Sequence, residues 1–303
     1  MIPTQEKVCR SHFPTEASLT EAEGLDRMDA GAAFDVFDRE DRRLCEVIAK
    51  AKDEIVDAIE LVVHALSNGG RLIYIGAGTS GRLGVLDAVE CPPTFRSHPR
   101  QVQGRIAGGH DALLRAVEGA EDNAEAGAAA VLDVDEKDVV FGIAAGGTTP
   151  FVHGALRAAK ARGASTCFLA CVPRTLAGDE ADCSIRLDTG PEVLAGSTRL
   201  KAATATKLVL NRVTTIAFAR LGKVYDNLMV DVATEGNKKL EDRGRRLVSR
   251  ISEVDEEAAG LALAHAGGRV KVACVMQRFG VGAEEAERRL ETHGGFLRAA
   301  LAP

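Results

Sequence analysis

A short apolar strand that runs directly into a glycine-rich turn constrains the fold of this chain more than any other feature. The strand covers residues 72–75, and the turn reads Gly-Ala-Gly-Thr-Ser-Gly over residues 76–81 before a helix opens. Such a turn directs unbonded backbone N–H groups and the positive end of a helix dipole toward one point, which suits a phosphate. Glycines let the backbone approach the anion, and hydroxyl groups add donors. We therefore expect four residues to bind an anionic group: Gly78, Thr79, Ser80 and Gly81.

Known nucleotide motifs account for this turn only in part. The spacing of Gly76, Gly78 and Gly81 is G-x-G-x-x-G, which alone is a weak indication of dinucleotide binding. The dinucleotide fold also needs an acidic residue about twenty positions further on, where this chain has His98-Pro99-Arg100. A P-loop would have a lysine after the glycines, whereas Arg82 follows here. A tight turn that binds nothing is the alternative.

Apolar runs and helical segments alternate through the middle of the chain. This alternation predicts a parallel sheet covered by helices on both faces. With 46% apolar but only 4% aromatic residues, the core must consist mostly of small and aliphatic side chains, as in helix-covered parallel sheets. The predicted strands are 72–75, 101–107, 139–144, 166–170 and 184–187, and the predicted helices are 38–66, 80–90, 111–131, 150–162 and 197–220.

The chain is expected to have three parts. Residues 1–45 form an N-terminal segment whose first 20 residues are expected to be poorly ordered, and residues 46–242 carry the strand–helix alternation. Residues 243–303 are charged and helical without a convincing strand, and glycines at 267–268 and at 280 divide them into short helices. We therefore predict an α/β domain followed by a small all-helical domain.

Composition argues against several classes of partner. The net charge is −6 and the chain has no basic block, so nucleic acid has no electrostatic attraction to it. No apolar run reaches membrane-spanning length and the N-terminus lacks a signal-peptide core, so we expect no membrane partner and a cytoplasmic location. The seven cysteines and seven histidines are dispersed, which predicts reduced cysteines and no zinc site.

Two glutamates are candidates for acid–base chemistry. Glu90 lies shortly after the glycine-rich turn and beside Cys91-Pro92-Pro93, where the prolines are expected to end the helix. Glu121 belongs to an acidic cluster with helical spacing over residues 118–125. The alternative for each is an ordinary solvated carboxylate, and the residue pattern alone favours that alternative for Glu121.

Two further segments are candidates for binding a phosphate or a sugar. Residues 145–150 form a second glycine-rich turn before a helix that begins at a proline, so we expect Gly147 and Thr149 to face an anion. Residues 191–206 contain Glu192 and Ser197. The alternative for Ser197 is a helix N-cap, and the alternative for the nearby Lys201 is an exposed helix charge.

These segments together resemble one family. GAGTSGRLGVLDAVECPPTF at residues 76–95 is similar to the signature of the N-acetylmuramic acid 6-phosphate etherases, which are sugar-phosphate lyases on the sugar isomerase (SIS) fold. The resemblance covers roughly residues 20–301 and implies a SIS-type three-layer α/β/α sandwich with a parallel sheet, plus a small C-terminal all-helical domain. Further blocks similar to the family, in the same order, are 106–127, 138–152, 191–211 and 221–232.

The resemblance also implies a reaction and a division of roles. The family substrate carries a lactyl ether on C3 of an N-acetylated 6-phosphosugar, and the reaction removes the C2 proton, expels lactate and adds water. The family's catalytic glutamates correspond to Glu90 and Glu121. We assign Glu90 as the acid toward lactate and Glu121 as the base at C2, and the reverse assignment stays open. The resemblance implies no metal and no organic cofactor.

The resemblance further makes the segment with Glu192 and Ser197 a wall of the sugar pocket, and it implies a homodimer with sites near the subunit interface. The chain departs from the family pattern where Gly146 and Thr148 stand in place of a serine and an arginine, and where the segment after Thr15 lacks an asparagine. Two alternatives stay open, the first because of the altered second turn and the second because isomerases share the SIS fold and also remove a C2 proton. They are a non-catalytic phosphosugar-sensing regulator of the SIS class and a SIS aldose–ketose isomerase.

Overall fold

A computed structural model describes residues 12–303, and these residues divide into two compact units. The sheet unit comprises the described residues up to Ala88 together with Val102–Val213, and the helical unit comprises Val89–Gln101 and Thr214–Pro303. This division differs from the domain boundary predicted after residue 242. Residues 214–242 belong to the helical unit because side chains such as Val230 and Val232 are buried in its core.

Within the described residues, the sheet unit has one five-stranded parallel sheet. Its strands are β1 (Leu72–Gly76), β2 (Val102–Ile106), β3 (Val139–Ile143), β4 (Ser165–Ala170) and β5 (Cys183–Arg186). Their order is β2-β1-β3-β4-β5. All residues of β1 and β3 are buried, which explains why these strands are uninterrupted apolar runs. The five predicted strands are confirmed, with small shifts at their ends.

Eight α-helices begin among the described residues of the sheet unit, and some of them cover the two faces of the sheet. They are α1 (Ala30–Arg42), α2 (Leu44–Lys50), α3 (Lys52–Ser67), α4 (Gly78–Phe95), α5 (Asp111–Leu114), α6 (Ala124–Ala129), α7 (Pro150–Ala161) and α8 (Lys201–Arg220). On one face, Ile73 and Ile75 pack in an apolar cluster with Val152 of α7. Tyr74 points to the opposite face, where α4 lies so close that a Cβ on Gly84 would be 2.7 Å from the Tyr74 Cβ.

Two predicted helices are wrong as single elements. The segment 38–66 belongs to α1, α2 and α3, with interruptions at Arg43 and Ala51. Residues 111–131 form α5, a loop, a 3-10 turn and α6, because Gly119 takes a φ of +72° and Asn123 caps α6 by accepting the Ala126 N–H at 2.8 Å. Glu121 therefore lies in a 3-10 turn and not on a helix face.

Two helix ends also differ from the prediction. α4 continues past Glu90 and through Pro92-Pro93 to Phe95. The prolines lie in its last turn, where the Pro92 carbonyl accepts the Arg96 N–H at 2.9 Å and Arg96 then ends the helix at a φ of +49°. α8 begins at Lys201 and not at Ser197.

The start of the described chain is more ordered than predicted. The segment includes 3-10 turns at Pro14–Glu16 and Thr20–Ala22, and the side chains of Phe13, Thr15 and Leu19 are buried. The predicted disorder is therefore wrong for residues 12–20. Residues 1–11, to which the same prediction applied, lie outside the described residues.

The helical unit is a bundle of short helices, as predicted. Its helices after α8 are α9 (Lys238–Ser252), α10 (Glu256–His265), α11 (Val270–Phe279), α12 (Ala283–Thr292) and α13 (Leu297–Ala300). Breaks occur at the glycines that the sequence indicates, where Gly267, Gly268 and Gly280 all have positive φ. Within residues 12–303, none of the helices combines the length and apolar character that crossing a bilayer requires.

Candidate functional site

The strand order creates a crevice at the carboxyl edge of the sheet. The chain leaves β1 through α4 and arrives at β2 on one side, and it leaves β3 through α7 and arrives at β4 on the other side. β1 and β3 are hydrogen-bonded neighbours, with Gly76 opposite Ile143. Ligands of open parallel sheets bind at such a switch point. The two glycine-rich turns found in the sequence are the loops that leave these two strands.

The loop after β1 depends on glycine for close packing between the strand end and α4. A Cβ on Gly76 would lie 2.6 Å from the Gly81 nitrogen, and a Cβ on Gly81 would lie 2.7 Å from the Gly76 carbonyl oxygen and 2.6 Å from Ile106 Cγ1. Such distances exclude a side chain at either position, because backbone atoms stand in the way. These two glycines therefore fix where α4 begins.

The other residues of this loop form the first turn of α4. The first helical bond runs from the Gly81 N–H to the Ala77 carbonyl at 3.3 Å, so the N–H groups of Gly78, Thr79 and Ser80 precede the helical bonding ladder. Gly78 has a φ of +52° and open space where a Cβ would lie. The arrangement is the one expected for an anion site, and anion binding by these residues stays a prediction.

A buried carboxylate anchors α4 behind this turn. Asp87 accepts the Tyr74 hydroxyl of β1 at 2.9 Å and the Asn211 side-chain amide of α8 at 2.7 Å. Asp87 is only 5% exposed, so these bonds form away from bulk water and hold the helix firmly. Asp87 was not predicted from the sequence, since a single acid within a helix carries no distinctive pattern.

The loop after β3 is held mainly by hydrogen bonds. The Gly147 N–H donates to the Ala144 carbonyl at 2.8 Å, and the Cys171 N–H donates to the Ala145 carbonyl at 2.8 Å. His153 Nε2 lies 2.8 Å from the Gly147 carbonyl, which can only accept, so this nitrogen donates. Gly147 has a φ of +74°. Thr149 is the N-cap of α7 but makes no side-chain capping bond.

Glu121 shares a cavity with the first glycine-rich turn. The cavity has a volume of about 260 Å³ and lies within the sheet unit. Its lining includes Ala77, Gly78 and Arg82 on one side and the segment Ala116–Asp122 on the other. Glu121 is exposed, as the surface-carboxylate alternative also requires. The structure thus brings together one predicted catalytic residue and one predicted phosphate-binding residue.

Glu90 lies elsewhere on α4. Its side chain is exposed, and it lies in the last part of α4, which belongs to the helical unit. It is not among the residues that line the cavity with Glu121. The two glutamates therefore belong to different units. The catalytic role of Glu90 stays a prediction.

Glu192 stabilises the start of α8. Its side chain is fully buried, and its two oxygens accept the N–H groups of Lys201 at 2.9 Å and Ala202 at 3.0 Å. Burial raises the pKa of Glu192, and the two backbone donors act against that rise. Lys201 is buried as well and pairs with Glu40 of α1, so the alternative that Lys201 is an exposed helix charge is wrong.

Ser197 lies in the turn that precedes α8. Its N–H donates to the Leu194 carbonyl at 2.9 Å, and its own carbonyl accepts the Leu200 N–H at 3.2 Å. The helix cap is made by Glu192, so the N-cap alternative for Ser197 is wrong. The same turn contacts the N-terminal segment, because the Gly196 N–H donates to the Thr15 carbonyl at 3.0 Å. Binding of a sugar by Glu192 and Ser197 stays a prediction.

Within residues 12–303, no group of three or more His, Cys, Asp or Glu side chains is arranged to hold a metal ion. The prediction that no metal or organic cofactor takes part is not tested by this observation.

Comparison with known proteins identifies the family. The chain is 52% identical to an N-acetylmuramic acid 6-phosphate etherase of Synechocystis over 294 residues, which is 96% of each chain. It is 50% identical to the enzyme of that name from Trichormus variabilis, over 97% of this chain and 96% of that one. This chain belongs to the N-acetylmuramic acid 6-phosphate etherase family.

Domain profiles agree with this membership. A SIS domain matches residues 116–213, and a glucokinase regulatory protein N-terminal SIS domain matches residues 54–160. The predicted SIS-type fold is therefore confirmed. Among solved structures, a putative sugar-phosphate isomerase from Listeria monocytogenes is 16% identical, over 62% of this chain and 92% of that chain, with a TM-score of 0.40.

Sequence reasoning missed two residues that hold the site loops of this etherase-family chain. His153 bonds the second loop, and Arg82 bonds the segment that leads to Glu121. The only signal for either was position, since each follows a glycine-rich turn by a few residues. A helix that leaves a ligand loop places its first inward-facing polar side chains near that loop.

Proposed function

We propose that this chain cleaves the D-lactyl ether of N-acetylmuramic acid 6-phosphate, giving N-acetylglucosamine 6-phosphate and D-lactate. It is a carbon–oxygen lyase. The observation that carries the proposal is about 50% identity over nearly the full length to proteins named for this activity. The cavity that joins Gly78 to Glu121 supports it, because a phosphate-binding turn and a carboxylate then face the same small volume.

The first half of the proposed reaction is a β-elimination. The phosphate binds the first turn of α4, and the open-chain aldehyde makes the C2 proton acidic. Glu121 takes this proton, the C2=C3 double bond forms, and the C3–O bond breaks. Glu90 gives its proton to the departing lactate oxygen, so lactate keeps the ether oxygen.

The second half reverses the proton transfers with water. Glu90, now ionised, takes a proton from water as the hydroxyl adds to C3, and Glu121 returns its proton to C2. Both carboxyl groups end in their starting states, and the net reaction consumes one water. At the start of the reaction one of the two carboxyl groups must be protonated and the other ionised, which requires different environments for Glu90 and Glu121. The reverse assignment of roles remains an alternative.

The first test is lactate release by the purified full chain, carried out in water enriched in ¹⁸O and ²H. We expect equal amounts of D-lactate and N-acetylglucosamine 6-phosphate, with ¹⁸O at C3 of the sugar and no ¹⁸O in lactate. Deuterium enters at C2 to the extent that the proton held by Glu121 exchanges with solvent before it returns. Label in the lactate would mean attack on the lactyl carbon and would contradict the mechanism. Absence of lactate would contradict the proposed function.

The second test replaces each proposed catalytic carboxylate. Glu90→Gln and Glu121→Gln should each lower kcat by about 100- to 10,000-fold, the usual contribution of one acid or base. Glu118→Gln is the matched control, because Glu118 lines the same cavity and has no proposed role. We expect the control to stay near the wild-type rate. A wild-type rate in either test variant would remove that residue from the mechanism.

The regulatory alternative has one specific observation in its favour. The match to the glucokinase regulatory protein SIS domain covers residues 54–160, which include the first loop, Glu90 and Glu121. A sensor would be stabilised against heat by 6-phosphosugars and would release no lactate. An isomerase would interconvert aldose and ketose phosphates without lactate. The labelling experiment therefore separates all three.

We further propose that the chain forms a homodimer with its sites near the subunit interface. Leu114 is 84% exposed and Val117 is 40% exposed, and Val117 lines the cavity that contains Glu121. A second subunit would cover these apolar side chains. Light scattering on the purified chain tests the mass, and Leu114→Asp should favour the monomer.

A cytoplasmic location is also proposed, since the substrate is a phosphorylated sugar, and cell fractionation tests it.

A further inference from the structure

Arg82 connects the two sides of the cavity that contains Glu121. It lies on α4 directly after Gly81, and its side chain reaches across to the segment that follows β2. Nε is 3.3 Å from the Leu113 carbonyl oxygen, and Nη2 is 3.1 Å from the Arg115 carbonyl oxygen. Arg82 is half-buried and lines the cavity together with Glu121.

We propose that Arg82 is a positioning residue that holds Glu121 in place for the reaction. The inference rests on the proposed function for the role of Glu121, while the tether itself is seen directly in the contacts of Arg82. Arg82 acts through the backbone of the segment and needs no contact with the substrate. This role differs from that of the loop residues, which are proposed to bind the phosphate.

The segment that carries Glu121 is anchored at one end by the buried Ala112 and at the other by Ala120, which packs against the apolar cluster of the sheet unit, and residues 115–119 between them form no helix or strand. It begins with α5, a helix of only four residues, which is too short to be stable by itself. Leu113 and Arg115 lie at the C-terminal end of α5, where helix carbonyls have no partner within the helix. Arg82 supplies donors to both carbonyls, and bonds from a charged donor are stronger than neutral ones.

A second contact guides the same segment. Val117 lies over Gly108, where an added Cβ would be 3.1 Å from the Val117 Cβ, and Gly108 has a φ of +82°. Between this contact and the 3-10 turn at Ala120–Asp122, the residues are mostly exposed. The bonds from Arg82 therefore hold the segment at Leu113 and Arg115, and the packing of Ala120 holds it beside Glu121.

The position of Arg82 on α4 also links the segment to the phosphate. Arg82 comes one residue after the proposed phosphate-binding turn Gly78–Gly81, within the opening turns of the same helix. A phosphate that orders this turn also orders the base of the Arg82 side chain. Glu121 is thereby fixed relative to the anchored end of the sugar.

The geometry of the guanidinium distinguishes this role from a simple charge. The cavity contains three carboxylates, those of Glu118, Glu121 and Asp122, and Arg82 brings positive charge to it. Lysine at position 82 would keep that charge, but its single ammonium cannot span two carbonyls with the planar fork of arginine. Arg82→Lys therefore separates the tether from the charge.

The experiment compares Arg82→Lys and Arg82→Gln with a matched arginine. Arg162 makes the same kind of contact, from Nε to the Val134 carbonyl at 3.1 Å and from Nη2 to the Leu132 carbonyl, but its loop carries no proposed site residue. Arg162→Lys is therefore the control for general loss of loop stability. Steady-state kinetics with N-acetylmuramic acid 6-phosphate gives kcat and KM for each variant, and amide hydrogen exchange reports on residues 113–122.

We expect both Arg82 variants to lower kcat by about 10- to 100-fold, the cost of a small misplacement of a reacting group, and to leave KM within about threefold. Exchange should accelerate at residues 113–122 in these variants and not in Arg162→Lys, whose kcat should stay within about twofold of wild type.

Three results would overturn the proposal. An unchanged kcat in Arg82→Lys would show that no tether is needed. A rise in KM alone would make Arg82 a substrate ligand, and an equal loss in Arg162→Lys would reduce the effect to general stability. If the wild-type chain releases no lactate, the proposed function fails, and hydrogen exchange still decides whether Arg82 holds the segment.

Discussion

The loops after β1 and β3 leave neighbouring strands at the same edge of the sheet, and they are held in different ways. In the loop after β1, Gly76 and Gly81 are in such close contact that neither has room for a Cβ. In the loop after β3, Gly146 has no atom closer than 4.0 Å to the position of its Cβ, and Gly147 is held by backbone bonds and by His153.

The difference predicts which of the two loops tolerates a change of side chain. A loop whose backbone packs on backbone accepts no side chain at the packed positions, so its sequence has little freedom. A loop held by bonds to carbonyl and N–H groups leaves its side chains open to change, because every residue except proline offers the same backbone groups. The two positions of this region at which the resemblance implies a departure from the family pattern, Gly146 and Thr148, both lie in the second loop.

The largest expected effect tests the packed loop. Gly81→Ala should destabilise the chain by about 3 kcal/mol or more, since its Cβ would meet Ile106 Cγ1 and the Gly76 carbonyl at 2.6 and 2.7 Å. Urea unfolding measures this change. Gly178→Ala is the control, because its Cβ would meet no atom within 4 Å. Equal stability of the two variants would show that the first loop can move away from β1.

The next effect tests the single tight position in the bonded loop. Gly147→Ala should cost about 2 kcal/mol, because φ is +74° and the new Cβ would lie 2.8 Å from the Ala177 Cβ. Gly190→Ala is the control, because Gly190 has a similar φ of +68° and a Cβ there would meet no atom within 4 Å. Its loss of stability measures the cost of the backbone conformation without the steric contact. Adding Ala177→Gly to Gly147→Ala should recover the difference. No recovery would mean that contact with Ala177 is not the cause.

A smaller effect tests the bond from His153. His153→Phe keeps an aromatic ring next to Phe168, whose ring centroid lies 5.2 Å from that of His153, and removes the donor to Gly147. We expect a loss of about 1 kcal/mol in stability and a rise of several-fold in KM for the phosphosugar. His153→Gln, which retains an N–H donor, should restore part of the affinity. An unchanged KM in His153→Phe would separate the second loop from the substrate.

The smallest effect on stability is expected at the departures themselves. Gly146→Ser and Thr148→Arg introduce the residues that the resemblance implies for the family. Each should change stability by no more than about 0.5 kcal/mol, because a Cβ on Gly146 would have no atom closer than 4.0 Å and Thr148 is partly exposed. The KM for the phosphosugar should fall, since a hydroxyl and a cation are added. A KM equal to that of wild type in the double variant would show that the departures lie away from the phosphate.

Much of the sheet unit followed from local sequence patterns. Strands β1 and β3 were predictable because their buried residues form nearly uninterrupted apolar runs, and the glycine-rich turns were predictable because they come directly after these two runs. The segment around Glu121 was not, because its acidic residues also have helical spacing. Gly119 and Asn123 break that helix, and their effect depends on a φ of +72° and on a capping bond that spacing does not reveal.

The sequence by itself therefore determined the family, the parallel sheet and the two loops that face its carboxyl edge. These features depend on residues that are close together in the chain, because the periodicity of apolar residues and the positions of glycines determine the local backbone structure. Only the tertiary structure decided that Glu192 and Lys201 are buried, and that Arg82 and Glu121 line one cavity. Burial and contacts between distant segments result from how the elements pack. The sequence shows which residues are charged, but not whether a charged side chain is solvated or buried.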